Sequence, residues 1–127
     1  MHQFIAGLIS DGPVITDGAW GTQMQARGLP IGECPDAWNL SHPEIVEEIP
    51  RSYVEAGSRV ILTNTFRGNR VALEAAGLAD RVIELNREGA AISRRAAGND
   101  AVVFGSIGPS GKMLCMSEIS PEELRDV

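Results

Sequence analysis

Three short apolar runs, Val14–Thr16, Arg59–Thr63 and Ala101–Gly105, stand far apart in a chain of 127 residues, and helical patterns fill the stretches between them. Strands that alternate with helices pair in parallel, because each crossover brings the chain back to the same end of the sheet. Arg59-Val60-Ile61-Leu62-Thr63 shows no polar alternation, as a strand covered on both faces requires. The chain is therefore expected to be α/β with a parallel sheet.

The helices carry their own signals. Phe4–Ile9 is expected to form a short helix. Ser41-His42-Pro43-Glu44 reads as a capping box, with proline in the first turn, opening a helix that runs to Ala56 and stops at Gly57. Its apolar face is Ile45, Val46, Ile49 and Tyr53, and Pro50 should bend it. A short helix is expected over Asn69–Ala76. A longer one should cover Asp80–Ala97, with a stripe of Val82, Leu85, Gly89, Ile92 and Ala96 and a stop at Gly98. Ser120-Pro121-Glu122-Glu123 repeats the capping-box pattern. Gly18–Leu40 reads as one long loop, and long loops are usually functional. Three strands cannot close a barrel, and they leave edges that proteins normally hide. Residues 1–127 are accordingly expected to be the first, truncated part of a larger α/β barrel, prone to dimerise or aggregate through its open edges.

Composition narrows the partners. The formal net charge is −6, which argues against nucleic acid. Asp11 to Glu48 holds seven acids against Arg27 alone. No apolar stretch reaches the length of a membrane span, and the first residues lack the positive start of a signal peptide, so a cytoplasmic location is expected. Cys34 and Cys115 lack C-x-x-C spacing and read as free thiols.

All three strands should open into loops at the same end of the sheet, where ligands of such folds bind. Asp17-Gly18-Ala19-Trp20-Gly21-Thr22 follows the first run. Its small residues let backbone approach a ligand, Asp17 can hold an ammonium group, and turn amides can hold a carboxylate, which together suit a zwitterionic amino acid. Asp17 can equally cap the turn. Trp20 can be a core aromatic, and Asn64 and Thr65 can serve only loop backbone groups. Gly105–Gly111 is rich in glycine, but Gly111-Lys112 is followed by Met113, so no P-loop is present. His42 and His2 read as structural or solvated.

Four segments, Asp17–Thr22, Pro35–Asn39, Thr63-Asn64-Thr65-Phe66 and Gly105–Gly111, occur in this order. They resemble the N-terminal part of the homocysteine S-methyltransferase family, over about Asp11 to Leu124. The resemblance implies a (β/α)8 TIM-type barrel, of which this chain holds about three strands. It also implies methyl transfer to the thiol of homocysteine, giving methionine. By resemblance, Asp17 and the backbone of Gly18, Ala19, Trp20, Gly21 and Thr22 hold the amino-acid head group. Asn64 and Thr65 line the pocket, and the glycine-rich exit around Gly108 closes it. The family coordinates the homocysteine sulfur to zinc through cysteines in Asn-Cys and Gly-Gly-Cys-Cys motifs, which this chain lacks; Cys34 and Cys115 match no ligand position. The implied site is a head-group pocket without metal ligands or catalytic residues, poorly active alone. The implied partners are homocysteine and a methyl donor, carried by a corrinoid or folate. Two alternatives stand beside this reading: a non-catalytic half-barrel completed by a second chain, and a methyltransferase component acting with a corrinoid protein.

Overall fold

A computed structural model describes residues 1–127. Seven α-helices surround a small parallel sheet. Helix α1 spans Gln3–Leu8, α2 Gly21–Ala26, α3 Trp38–Ser41, α4 Pro43–Glu55, α5 Arg70–Glu74, α6 Val82–Ala97 and α7 Pro121–Arg125. Strand β1 is Val60–Leu62 and β2 is Val102–Phe104. They pair in parallel with Val60 opposite Val102 and Leu62 opposite Phe104.

The expected first strand, Val14–Asp17, is reduced to one parallel bridge between Thr16 and Val60. Its rungs are Val60 N–H to Ile15 O at 3.3 Å and Asp17 N–H to Val60 O at 2.9 Å. The next rung would take the Leu62 amide to the Asp17 carbonyl. Instead the Leu62 N–H donates to the Asp17 carboxylate at 2.8 Å. A side chain thus replaces the main chain in the ladder, and the strand ends at the residue that turns away.

Gly18–Leu40 is not one loop. It holds α2, a 3₁₀ turn at Pro35–Ala37 and the start of α3. The capping-box reading at Ser41 also fails. Ser41 closes α3, and its hydroxyl meets the Ala37 carbonyl at 3.4 Å and His42 Nδ1 at 2.8 Å. His42 is the residue before α4 and gives it no side-chain cap. The His42 ring packs on Trp38, centroids 4.5 Å apart, which draws it away from the helix amides. Helix α4 continues through Pro50, whose ring is buried. At Ser120 the box forms in full: its hydroxyl accepts from Glu123 N–H at 3.1 Å, and the Glu123 carboxylate accepts from Ser120 N–H at 2.8 Å.

The core lies where α4 and α6 pack on the sheet and on the α2–α3 segment. Met24, Trp38, Val46, Ile49 and Ile92 form one cluster; Ile61, Ala96, Ala97 and Ala101 form a second under the sheet. A third holds Cys34 with Leu73 and Leu85, so this thiol is a buried packing group, whereas Cys115 is exposed. Gly98 stops α6 with φ 52°, a left-handed value that glycine adopts without a Cβ penalty. No helix is long and apolar enough to cross a membrane.

Candidate functional site

The C-terminal ends of the sheet segments gather at one face. At the first exit, one oxygen of Asp17 accepts from both the Trp20 indole N–H, at 2.9 Å, and the Leu62 amide. Asp17 therefore fixes the Trp20 ring relative to β1. A Cβ at Gly18 would stand 3.0 Å from the Tyr53 hydroxyl, which donates to the Ala19 carbonyl at 2.9 Å. Gly18 and Ala19 are thus clamped onto α4, while Gly21 and Thr22 open α2 and are exposed.

The second exit is buried and fully bonded. Asn64 donates through its side-chain amide to Pro35 O at 3.0 Å and to Asn39 Oδ1 at 2.9 Å. Asn39 answers by donating to Asn64 O at 2.7 Å and Leu85 O at 3.3 Å. Gly89 makes room for this pair: a Cβ there would stand 2.7 Å from Asn39 Nδ2 and 2.8 Å from Thr65 Cγ2. The Thr65 hydroxyl donates to Ser106 O at 2.8 Å. Its only proton is then spent, so Thr63 donates to Thr65 across 2.6 Å. Thr63 in turn accepts from Ser106 N–H at 2.9 Å. Two threonines thereby join the second and third exits. The third exit turns back on the second at Gly108, where a Cβ would collide with the Phe66 carbonyl.

These exits enclose a cleft of about 280 Å³. Of the residues marked by the sequence, Trp20, Gly21 and Asn64 line it; Thr65 and Gly108 line a neighbouring cavity of about 360 Å³. Asp17, Gly18, Ala19 and Thr22 line neither; Asp17 is half-buried and the other three are exposed. Ser106, from the marked Gly105–Gly111 exit, also lines the cleft, as do Asp36, to which the Pro35–Asn39 motif gave no role, and Arg67, which no motif contained. Asp36 is 1% exposed, and its Oδ1 accepts from the Arg67 amide at 2.9 Å. Burial pushes its carboxyl up to about 6, against the pull of that amide and of the Arg67 charge. The available signal was an acid inside an otherwise apolar segment, Cys34-Pro35-Asp36-Ala37-Trp38.

Nowhere do three His, Cys, Asp or Glu side chains converge as a metal site would require. Cys34 is packed among leucines and Cys115 stands alone on the surface, so the residues of this chain do not fit a zinc ion.

Residues 14–127 match the family model described as homocysteine S-methyltransferase. The chain is 34% identical, over 94% of its length, to a methionine synthase of Mycobacterium tuberculosis (strain ATCC 25618 / H37Rv), of which it spans 11%. It is 30% identical, over 87% of its length, to mouse betaine–homocysteine S-methyltransferase 1, spanning 29% of that protein. The metallated form of the Escherichia coli homocysteine methyltransferase MmuM superposes with a TM-score of 0.73 at 25% identity, over 84% of this chain and 42% of that one. The chain belongs to the homocysteine S-methyltransferase family, and it spans less than half the length of each of these relatives.

Proposed function

We propose that this member of the homocysteine S-methyltransferase family carries the head-group side of a homocysteine site and serves methyl transfer to the homocysteine sulfur. The observation that carries this reading is the cleft itself: all three strand exits supply its walls, through Trp20 and Gly21, through Leu62, Thr63, Asn64, Phe66 and Arg67, and through Ser106. Ligands of parallel α/β folds bind at this end of the sheet. Asp17 orients Trp20, Asn39 fixes Asn64 in the cleft wall, and the Thr63–Thr65–Ser106 bonds hold the third exit against the second.

In the reaction, the thiol loses its proton, the sulfur forms a bond to the donor's methyl group, and the donor leaves with the electron pair of the broken bond. This chain's residues bind and orient the amino acid. Activation of the sulfur is assigned to none of them, in keeping with the absence of a fitting zinc site. The remaining units of the (β/α)8 barrel would add at the outer edge of β2, which pairs only with β1. They would complete the pocket, whether in continuation or as a second chain. The relatedness to methionine synthase supports a corrinoid- or folate-linked donor, whose site would lie in those other units.

The test is a titration with L-homocysteine under reducing conditions, followed by indole fluorescence. A saturable change that disappears in Trp20→Phe is the expected result, because Trp20 lines the cleft while Trp38 is buried in the core. No saturable binding, by fluorescence or by equilibrium dialysis, would overturn the reading.

A further inference from the structure

The loop at the first exit is tied to the fold from two sides. On one side the Asp17 carboxylate holds the Leu62 amide of β1 and the Trp20 indole. On the other side stands Tyr53, in the last turn of α4. Its ring packs against both the cluster around Met24 and Trp38 and the cluster under the sheet, so its hydroxyl is carried at a fixed place. That hydroxyl donates to the Ala19 carbonyl at 2.9 Å, across 34 positions of sequence. From Gly18 to Trp20 this is the one main-chain hydrogen bond to an element other than α2. The Ala19–Trp20 peptide is trans, so its N–H points opposite to its carbonyl, away from Tyr53. The Trp20 N–H donates to no group of the chain, and Trp20 lines the cleft. Gly18 records the same contact independently. Its φ is not positive, so backbone conformation does not demand glycine there. The three atoms nearest to a Cβ at Gly18 all belong to Tyr53, at 3.0–3.3 Å.

We propose that Tyr53 is a positioning residue for ligand binding: by holding the Ala19 carbonyl, its hydroxyl sets the plane of the Ala19–Trp20 peptide and aims the Trp20 amide at the ligand's carboxylate. The inference rests on the homocysteine reading above and names the residue that orients the loop from outside the cleft. An amide whose direction is fixed before binding costs the ligand no ordering of the loop. Gly18 is part of the same device, because a side chain there would push the hydroxyl from the carbonyl it holds.

The experiment measures binding by equilibrium dialysis, under reducing conditions and below the urea transition of each variant. Two ligands are compared on the wild-type chain, Tyr53→Phe, Gly18→Ala and the double variant. L-Homocysteine carries the carboxylate; 3-aminopropane-1-thiol keeps the thiol and the ammonium group but lacks it. Tyr53→Phe should weaken homocysteine by about fivefold, the scale of one net hydrogen bond, and leave the carboxylate-free ligand unaffected. Gly18→Ala should weaken homocysteine by a similar factor. Adding it to Tyr53→Phe should cost little more, because both substitutions release the same contact. Unchanged homocysteine affinity in Tyr53→Phe, whatever its urea midpoint, would make the tyrosine a stabilising residue only and overturn the proposal. Equal weakening of both ligands, or losses that multiply in the double variant, would overturn it as well, and each of these results leaves the homocysteine reading intact. Failure of homocysteine to bind the wild type at all would overturn both.

Discussion

The second strand exit and the segment after the third were both marked by the sequence as pocket-forming, yet they are built in opposite ways. Thr63, Asn64 and Thr65 are buried, and their side chains are bonded to Asn39, Pro35 and Ser106. Beyond Ser106 the chain exposes Ile107, Met113, Leu114, Met116 and Leu124, and only Ile119 is buried. A loop that spends its polar groups inside the protein is fixed before any ligand arrives. A loop that shows its apolar side chains to water has its packing surface free. The first region behaves as core and the second as a surface for whatever adjoins it.

Two glycines test that contrast, and they should give the largest effects. Gly89 faces the buried asparagine pair, so Gly89→Ala must displace Asn39 or Thr65 and break bonds that no water can replace. The expected loss is about 3 kcal/mol in global stability, read by denaturant unfolding. The Cβ of Gly108→Ala meets the backbone of Phe66, a harder obstacle. The segment it sits on is lightly held and can swing away, so the expected loss is about 1 kcal/mol, with local proteolysis near Gly108 rising instead. Equal losses from the two substitutions would break the comparison.

Asp36 sharpens it, because it places a cost inside the rigid region. Its carboxyl titrates near 6 in the fold against 3.8 in the unfolded chain. Between those values the folded state binds more protons, so this group's contribution falls as pH rises and is fully lost above about 6. Asp36→Asn keeps the acceptor for the Arg67 amide and removes the charge. It should raise stability at pH 8 by about 2 kcal/mol and flatten the decline between pH 4 and 6, both measurable by urea midpoints.

These regions also separate what sequence can express from what it cannot. The helices α4 and α6 and the strand β1 were legible because a single apolar face or run defines each. Their stops at Gly57 and Gly98 were legible because both adopt positive φ. The first strand was overread, since nothing local says that a carboxylate will take the Leu62 amide. Ser41 was misread because it is the last residue of α3, and its hydroxyl turns back to the Ala37 carbonyl instead of forward to the amides of α4. Within the site, the motifs located the right end of the sheet. They did not say which residues line the cleft, because the partners that fix Asp17 and Asp36 in the fold include distant ones: Leu62 for one, Arg67 for the other. The reciprocal Asn39–Asn64 bonds span 25 positions and leave no periodic trace.

The smallest effect belongs to the best-formed local motif. The Ser120 box satisfies two backbone donors, and losing such a cap costs about 1 kcal/mol where the helix is part of the cooperative core. Helix α7 has five residues, none of them buried, so its formation is only weakly coupled to the unfolding of α4 and α6. Ser120→Ala should therefore leave the global unfolding midpoint unchanged within about 0.3 kcal/mol, while amide exchange in Glu122–Leu124 accelerates several-fold. A full shift of about 1 kcal/mol in the global transition would mean that α7 unfolds together with the core. The segment after Ser106 would then belong with the asparagine-bonded exit as part of one rigid unit, despite the apolar side chains it exposes.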